Sequence, residues 1–356
     1  MIARAASVAL ALLIGCSGDK GKDSGDTGGD TTPTGAEPYA VLGDYNNLPS
    51  AALLSIWGTC DTDMFVVGAD DGSGPVVLHY DGTGWRRIQT GSTGDLWWVW
   101  SDGGDLVWFS GEAGRVLTYS RSADAVTSEE VVTDPAMKMF GLWGSGPTDI
   151  WTVGGDIQGN QDGVIVHYDG TQWTEAHRVS KDPTDNLTTR QAFKVWGAAA
   201  NDVWVVGTNA LISHWDGSVW TDQPQSVYHT APLFTVSGTG PNDVTAVGGG
   251  GNAQSAHFDG SSWTDVSPPP YDAVPSFNGV KAVSGVGTVA CGFGGSIYWF
   301  DGTTWSADPR PRPTPLDFHA CWIDDQGATW AIGGDLTNLS EGVIVYSGDR
   351  VQAVAL

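Results

Sequence analysis

The sequence predicts an all-β chain, a seven-bladed β-propeller of four-stranded antiparallel blades, with six and eight blades as alternative counts. Three observations carry this reading. A unit recurs along the chain with steps of 43, 43, 53, 41, 47 and 38 residues, about the length of one propeller blade. Its strands read as unbroken apolar runs, as they must when both faces of a sheet are covered. The 50 glycines and 18 tryptophans among 356 residues suit many tight turns between packed sheets.

The clearest unit runs Val195-Trp196-Gly197, then Asp202-Val203-Trp204-Val205-Val206-Gly207, then His214-Trp215-Asp216-Gly217, closing at Trp220. Its first beat recurs as Ile56-Trp57-Gly58, Val99-Trp100-Ser101, Leu142-Trp143-Gly144, Val236-Ser237-Gly238, Val283-Ser284-Gly285 and Cys321-Trp322-Ile323. The Asp-Gly pairs at Asp81, Asp169, Asp216, Asp259 and Asp301 read as hairpins between third and fourth strands, because this dipeptide reaches positive φ at low cost. The repeated tryptophans read as packing between blades. Residues 351–356 read as the last fourth strand, leaving 39–42 as an extra outer strand that clasps the final blade.

The unit resembles the propeller repeats of sialidase-like, kelch-like and Ycf48-like proteins. It is most similar to the tandem Trp-Gly/Asp-Gly repeats of bacterial surface lipoproteins. It departs from the sialidase Asp-box, which spaces Asp and Trp by five residues, since Asp169 to Trp173 is four. The resemblance implies an architecture rather than an activity.

The N-terminus reads as an address. A single charge at Arg4 precedes an apolar run too short to span a bilayer, so residues 1–15 are expected to be a signal peptide. Leu13-Ile14-Gly15-Cys16 resembles the bacterial lipobox, which implies a lipid on Cys16, and Ser17 after it favours the outer membrane. Residues 16–38 have the composition of a flexible Gly/Ser/Asp/Thr tether, and 39–356 form the propeller. The acids of Asp23–Asp30 lack calcium-loop spacing. The chain is thus expected on the outer membrane, facing the periplasm or the surface.

Charge removes one class of partner. There are 41 acidic and 16 basic residues, a net charge of -25; losing Arg4 with the signal leaves 15 minus 41, or -26. Phosphate backbones are bound through Lys and Arg, so no nucleic-acid partner is expected. The chain reads as a monomer.

Repeated polar residues read as structural. His79, His167, His214 and His257 occupy one place in successive units, too far apart for a shared metal, and are expected to hold a turn or a nearby Asp. The turn acids Asp63, Asp149, Asp202 and Asp243 recur likewise. Cys291 and Cys321 replace Val206 and Val195 of another copy, as buried thiols or as a bridge between adjacent blades.

Binding is expected on the rim whose loops vary in length. Those are the loops near 69–75, 154–163, 248–253 and 333–342, and the connectors 174–191, 268–278 and 309–315. The candidate ligand-binding residues there are Asp70, Asp71, Asp156, Asp162, Asp335, Arg310 and Arg312. No cofactor is expected. Calcium on the acidic loops is the alternative, with partial ligand spacing at Gln158, Asn160, Asp162 and Gly163. The function expected is a non-catalytic binding or scaffold propeller for a protein or glycan. The alternatives are a glycosidase-type carbohydrate-active enzyme and an assembly factor for a membrane complex.

Overall fold

The computed structural model describes residues 38–158, 161–179, 189–223, 231–269, 273–348, 351 and 353–356. The expected signal peptide, the expected anchor residue Cys16 and all of the expected tether but residue 38 lie outside them. Seven four-stranded antiparallel sheets form the described chain, with one short 3-10 turn at Phe293–Gly295 as its only helical element. Blades 1 to 6 span residues 53–87, 96–130, 138–178, 192–222, 233–265 and 277–307, each in sequential strand order.

Blade 7 takes three strands from residues 317–347 and its outermost strand, Ala40–Gly43, from the N-terminus. The clasp is therefore the fourth strand itself rather than an extra one. Residues 351–356 supply no strand where they are described. Instead Val354 packs against the clasp, its amide donating to the Leu42 carbonyl at 2.7 Å. Closing the ring this way ties Ala40–Gly43 to the last strand of the described chain, so neither strand leaves without opening blade 7.

The apolar runs lie where both faces are covered. Phe65, Val66 and Val67 are fully buried, and all six residues of Pro75–Tyr80 are buried. Successive blades meet through aromatic side chains: Trp220 stands edge-on to Trp151 (5.3 Å between ring centres), Trp263 to Trp204 (5.2 Å) and Trp85 to Trp330 (6.2 Å), the last joining blade 1 to blade 7.

One local reading is corrected. The sixth first beat is Val280-Lys281-Ala282, three residues earlier than the pattern suggests, because Val280 pairs with Ala290 as Val236 pairs with Ala246. Ser284 and Gly285 belong to the turn that follows, where Val283 faces Gly287. The Asp-Gly pairs lie in the hairpins between third and fourth strands, as expected: Tyr80 pairs with Trp85 across a four-residue loop. In it the Asp81 carboxylate accepts the amides of Thr83 and Gly84, an Asx turn, and only Gly82 has positive φ (86°).

The clasp is held by a buried ion pair. Arg310 donates to both carboxylate oxygens of Asp308 (2.8 and 2.6 Å), to the Tyr39 hydroxyl (2.7 Å) and to Ser347, and its guanidinium lies over the Tyr39 ring. The two charged side chains are only 8% and 4% exposed. Arg310→Ala is expected to cost about 3–5 kcal/mol by stranding the Asp308 carboxylate, and Tyr39→Phe about 1 kcal/mol. Urea unfolding followed by tryptophan fluorescence measures both, and a neutral Arg310→Ala would show that the clasp does not depend on this pair.

Candidate functional site

The two rims are built differently. On one, each loop between third and fourth strands lies beside the turn between first and second strands: a Cβ placed on Gly82, Gly170 or Gly217 would meet Thr62, Thr148 or Asn201. In blades 1 to 6, the third-to-fourth loops are all four residues long. On the other rim, the loops between second and third strands run from three to eight residues and the connectors between blades from seven to thirteen.

The uniform rim is pinned by the repeated polar residues. His79, His167, His214 and His257 donate from Nε2 to Asp63, Asp149, Asp202 and Asp243 at 2.5–2.9 Å. Three of the rings also stack on the aromatic residue opposite, as His214 does on Trp204 at 4.0 Å. Three of the acids also take a hydroxyl from the end of the first strand: Asp63 from Thr59 at 2.9 Å, Asp149 from Ser145 and Asp243 from Thr239. Burial alone would raise the Asp63 pKa, but His79 and the Arg121 fork hold it well below the carboxylate range. The structural reading of these residues therefore stands, with the partner of each histidine now identified.

On the variable rim, the candidate residues organise their own loops. Asp70 accepts the amides of Gly72, Gly74 and Gly94, tying a loop to the next connector. Asp71 forms a forked pair with Arg87 at 2.7 and 3.0 Å. Asp156 is 1% exposed and accepts from the Gln158 amide, while Asp162 accepts the amide of Arg190. Asp335 makes an Asx turn with Thr337 and Asn338. Arg310 belongs to the clasp, and exposed Arg312 donates to the Gly294 carbonyl. These residues are spread over blades 1, 3 and 7 and one connector, and do not converge on one centre. Asn160 and residues 180–188 lie outside the described residues. Among the described residues, no group of three or more His, Cys, Asp or Glu is placed to hold a metal ion.

A second feature of this rim went unread in the sequence. In every blade, the ladder between first and second strands slips by one residue at the same place, inserting Leu54, Trp97, Phe140, Phe193, Phe234, Asn278 or His319 as a β-bulge. Trp97 of blade 2 meets His319 of blade 7 across blade 1, at 6.2 Å between ring centres, so the bulge side chains turn toward the axis. Trp97, Phe140, Phe193 and Phe234 follow in contact at 5.4, 5.6 and 6.0 Å, completing an arc of five rings. Each bulge lies at the N-terminal end of its first strand, hence at the variable rim.

Polar side chains seal the arc from neighbouring blades. His319 bonds the Leu54 carbonyl through Nδ1, Asn278 donates to Phe318 O at 2.8 Å, Thr235 to Asn278 O, and Lys194 to Phe140 O. The Lys194 ammonium also sits over Trp98, 4.3 Å from its ring centre. Burial drives the Lys194 pKa down to about 7, and burial with the nearby Lys194 charge takes His319 to about 3. His319 is thus neutral near pH 7 and adds no charge to the arc.

At the arc's edge Lys138 pairs with Glu112 and lies over Trp97. Asp95 is raised by burial and by the negative charge of the nearby Glu112. The arc presents an apolar floor inside a charged collar, suited to binding an apolar group. The signal was available in the sequence, since every bulge residue stands two positions before the apolar residue of the first beat.

The Asx turns make a pH test. Hydrogen bonds from Ser218 and Val219 lower the Asp216 pKa from 3.8 to about 2. A lowered carboxylate contributes stability above its unfolded pKa and loses it as pH falls through the folded one. The gap in Tm between the native chain and Asp216→Ala is therefore expected to be full above about pH 4 and to close toward pH 2. A gap that widens in acid would contradict the turn's assignment.

No family model matches the chain, and no curated protein matches it in sequence. Solved structures do. Virginiamycin B lyase from Staphylococcus aureus superposes with a TM-score of 0.67 at 13% identity, over 87% of this chain and all of its own. YCF48 from Cyanidioschyzon merolae gives 0.63 at 16% identity, over 87% and 98%, and YCF48 bound to D1 peptide gives 0.59 at 15%, over 88% and 97%. At these identities the likeness shows the β-propeller fold and nothing narrower.

Proposed function

We propose that the chain is a bacterial lipoprotein, anchored by a lipid on Cys16 in the outer membrane, whose propeller binds a protein or glycan on the variable rim without catalysing a reaction. The observation that carries this is the axial arc of His319, Trp97, Phe140, Phe193 and Phe234, an aromatic surface at the centre of the rim that carries the longer loops and the connectors between blades. The YCF48 neighbour that carries a D1 peptide supports a protein ligand ahead of a glycan. In this reading, Asp70, Asp71, Asp156, Asp162 and Asp335 shape the collar loops and Arg312 lies at its margin.

The test compares capture from envelope extract, and binding to a glycan array, by the native propeller, by Phe234→Ala, and by a variant carrying a bulky label at Ser218 on the uniform rim. Loss of the captured ligand with Phe234→Ala alone is the expected result, at a cost of about 1–3 kcal/mol in affinity. Loss with the labelled variant alone would move the site to the opposite rim. The anchor is read separately, by mass spectrometry of the N-terminal peptide: a diacylglyceryl Cys16 is expected, and an unmodified terminus downstream of it would refute the anchor.

A further inference from the structure

We propose that Cys291 and Cys321 form a redox modification site, a disulfide that staples blade 6 to blade 7 next to the ring closure. Both are free thiols in this structure, at 0% and 6% exposure. Cys291 lies in the second strand of blade 6, Gly287–Gly292, and Cys321 in the first strand of blade 7, Asp317–Ile323. The Cys321 thiol reaches the Val289 carbonyl at 3.5 Å, two residues along the strand from Cys291.

The residue between them is Gly279, opposite Cys291 in the ladder. A Cβ there would stand 3.1 Å from Cys291 Sγ and 3.0 Å from Cys321 N, so only the missing side chain lets the sulfur of one blade face the backbone of the next. Burial, then the neighbouring Cys321 thiol, pushes the Cys291 pKa well up. In the closed ring Cys291 therefore stays protonated and both sulfurs are shut away from a donor disulfide, so oxidation belongs to the folding chain, before the seam is sealed.

The chemistry is exchange with a donor disulfide such as oxidised glutathione. One cysteine thiolate attacks a donor sulfur, forming a mixed disulfide and releasing one donor thiolate. The second cysteine thiolate then attacks the protein sulfur of that mixed disulfide and expels the other donor thiolate. Two protein thiols give up two electrons and two protons, and the donor disulfide is reduced to two thiols.

The chain is refolded from urea in excess oxidised glutathione or in dithiothreitol, then digested without reduction and mapped by mass spectrometry. Expected are a linked Cys291–Cys321 peptide, about 2 Da lighter than the reduced pair, and a Tm several degrees higher in the oxidised sample. Cys291→Val and Cys321→Val place the residues that Val206 and Val195 hold in blade 4, so both variants should fold, and the redox-dependent gain in Tm should vanish in each. Free or glutathionylated thiols at both positions in the folded oxidised chain would overturn the site. A linked peptide with an unchanged or lower Tm would overturn the staple.

Discussion

The ring depends on a tryptophan of one blade resting on a glycine of the next. The Trp100, Trp143 and Trp196 rings lie where a Cβ on Gly144, Gly197 or Gly238 would come within 2.8, 2.5 or 2.6 Å of them. In blades 3 and 4 the dipeptide Trp-Gly is thus two halves of neighbouring joints: Gly144 and Gly197 receive the tryptophan of the blade before, and Trp143 and Trp196 go to the glycine of the blade after. Three of the seven seams use this contact. The edge-on aromatic contact accompanies it at two of these seams and also joins the closing seam, through Trp85 and Trp330.

Fixing the blades this way separates support from function along the same strands. The outer ends of the second and third strands spend their polar groups on His–Asp pins and Asx turns, which satisfy carboxylates and backbone amides locally and leave the uniform rim little to offer a ligand. The inner ends of the first strands carry a bulge in every blade, which redirects one side chain per blade to the axis without disturbing the ladder on either side. The bulge residue escapes the seam packing, so it varies, from Leu54 through aromatic rings to Asn278 and His319.

Much of the fold was legible because the repeat states it: Val195-Trp196-Gly197, the His214–Asp202 pair and the Asp216 turn all sit where the pattern puts them. What failed was what periodicity does not encode. Blade 6 carries Lys281 in place of tryptophan and a tight Gly285 turn, so the nearest Val-Ser-Gly triplet misplaced its register. The fourth strand of blade 7 comes from the other end of the chain, and an extended N-terminal segment looks the same whether it completes a sheet or adds to one. The candidate acids were judged by charge alone, whereas Asp70 and Asp71 spend that charge on amides and on Arg87 inside their own loop. The axial arc is made by residues at a fixed place, two positions before each first beat, but strict alternation would bury them in the blade, and only the slip of the ladder turns them to the axis.

The claim that Trp-on-Gly contacts hold the ring is tested most directly by a double-mutant cycle on Trp143 and Gly197, with stabilities from urea unfolding. In the native background, Gly197→Ala is predicted to cost about 1–3 kcal/mol, because the added Cβ meets the indole. In a Trp143→Ala background it should cost nothing or stabilise slightly, since the space is then open and alanine orders the unfolded chain. Equal costs in the two backgrounds would contradict the account.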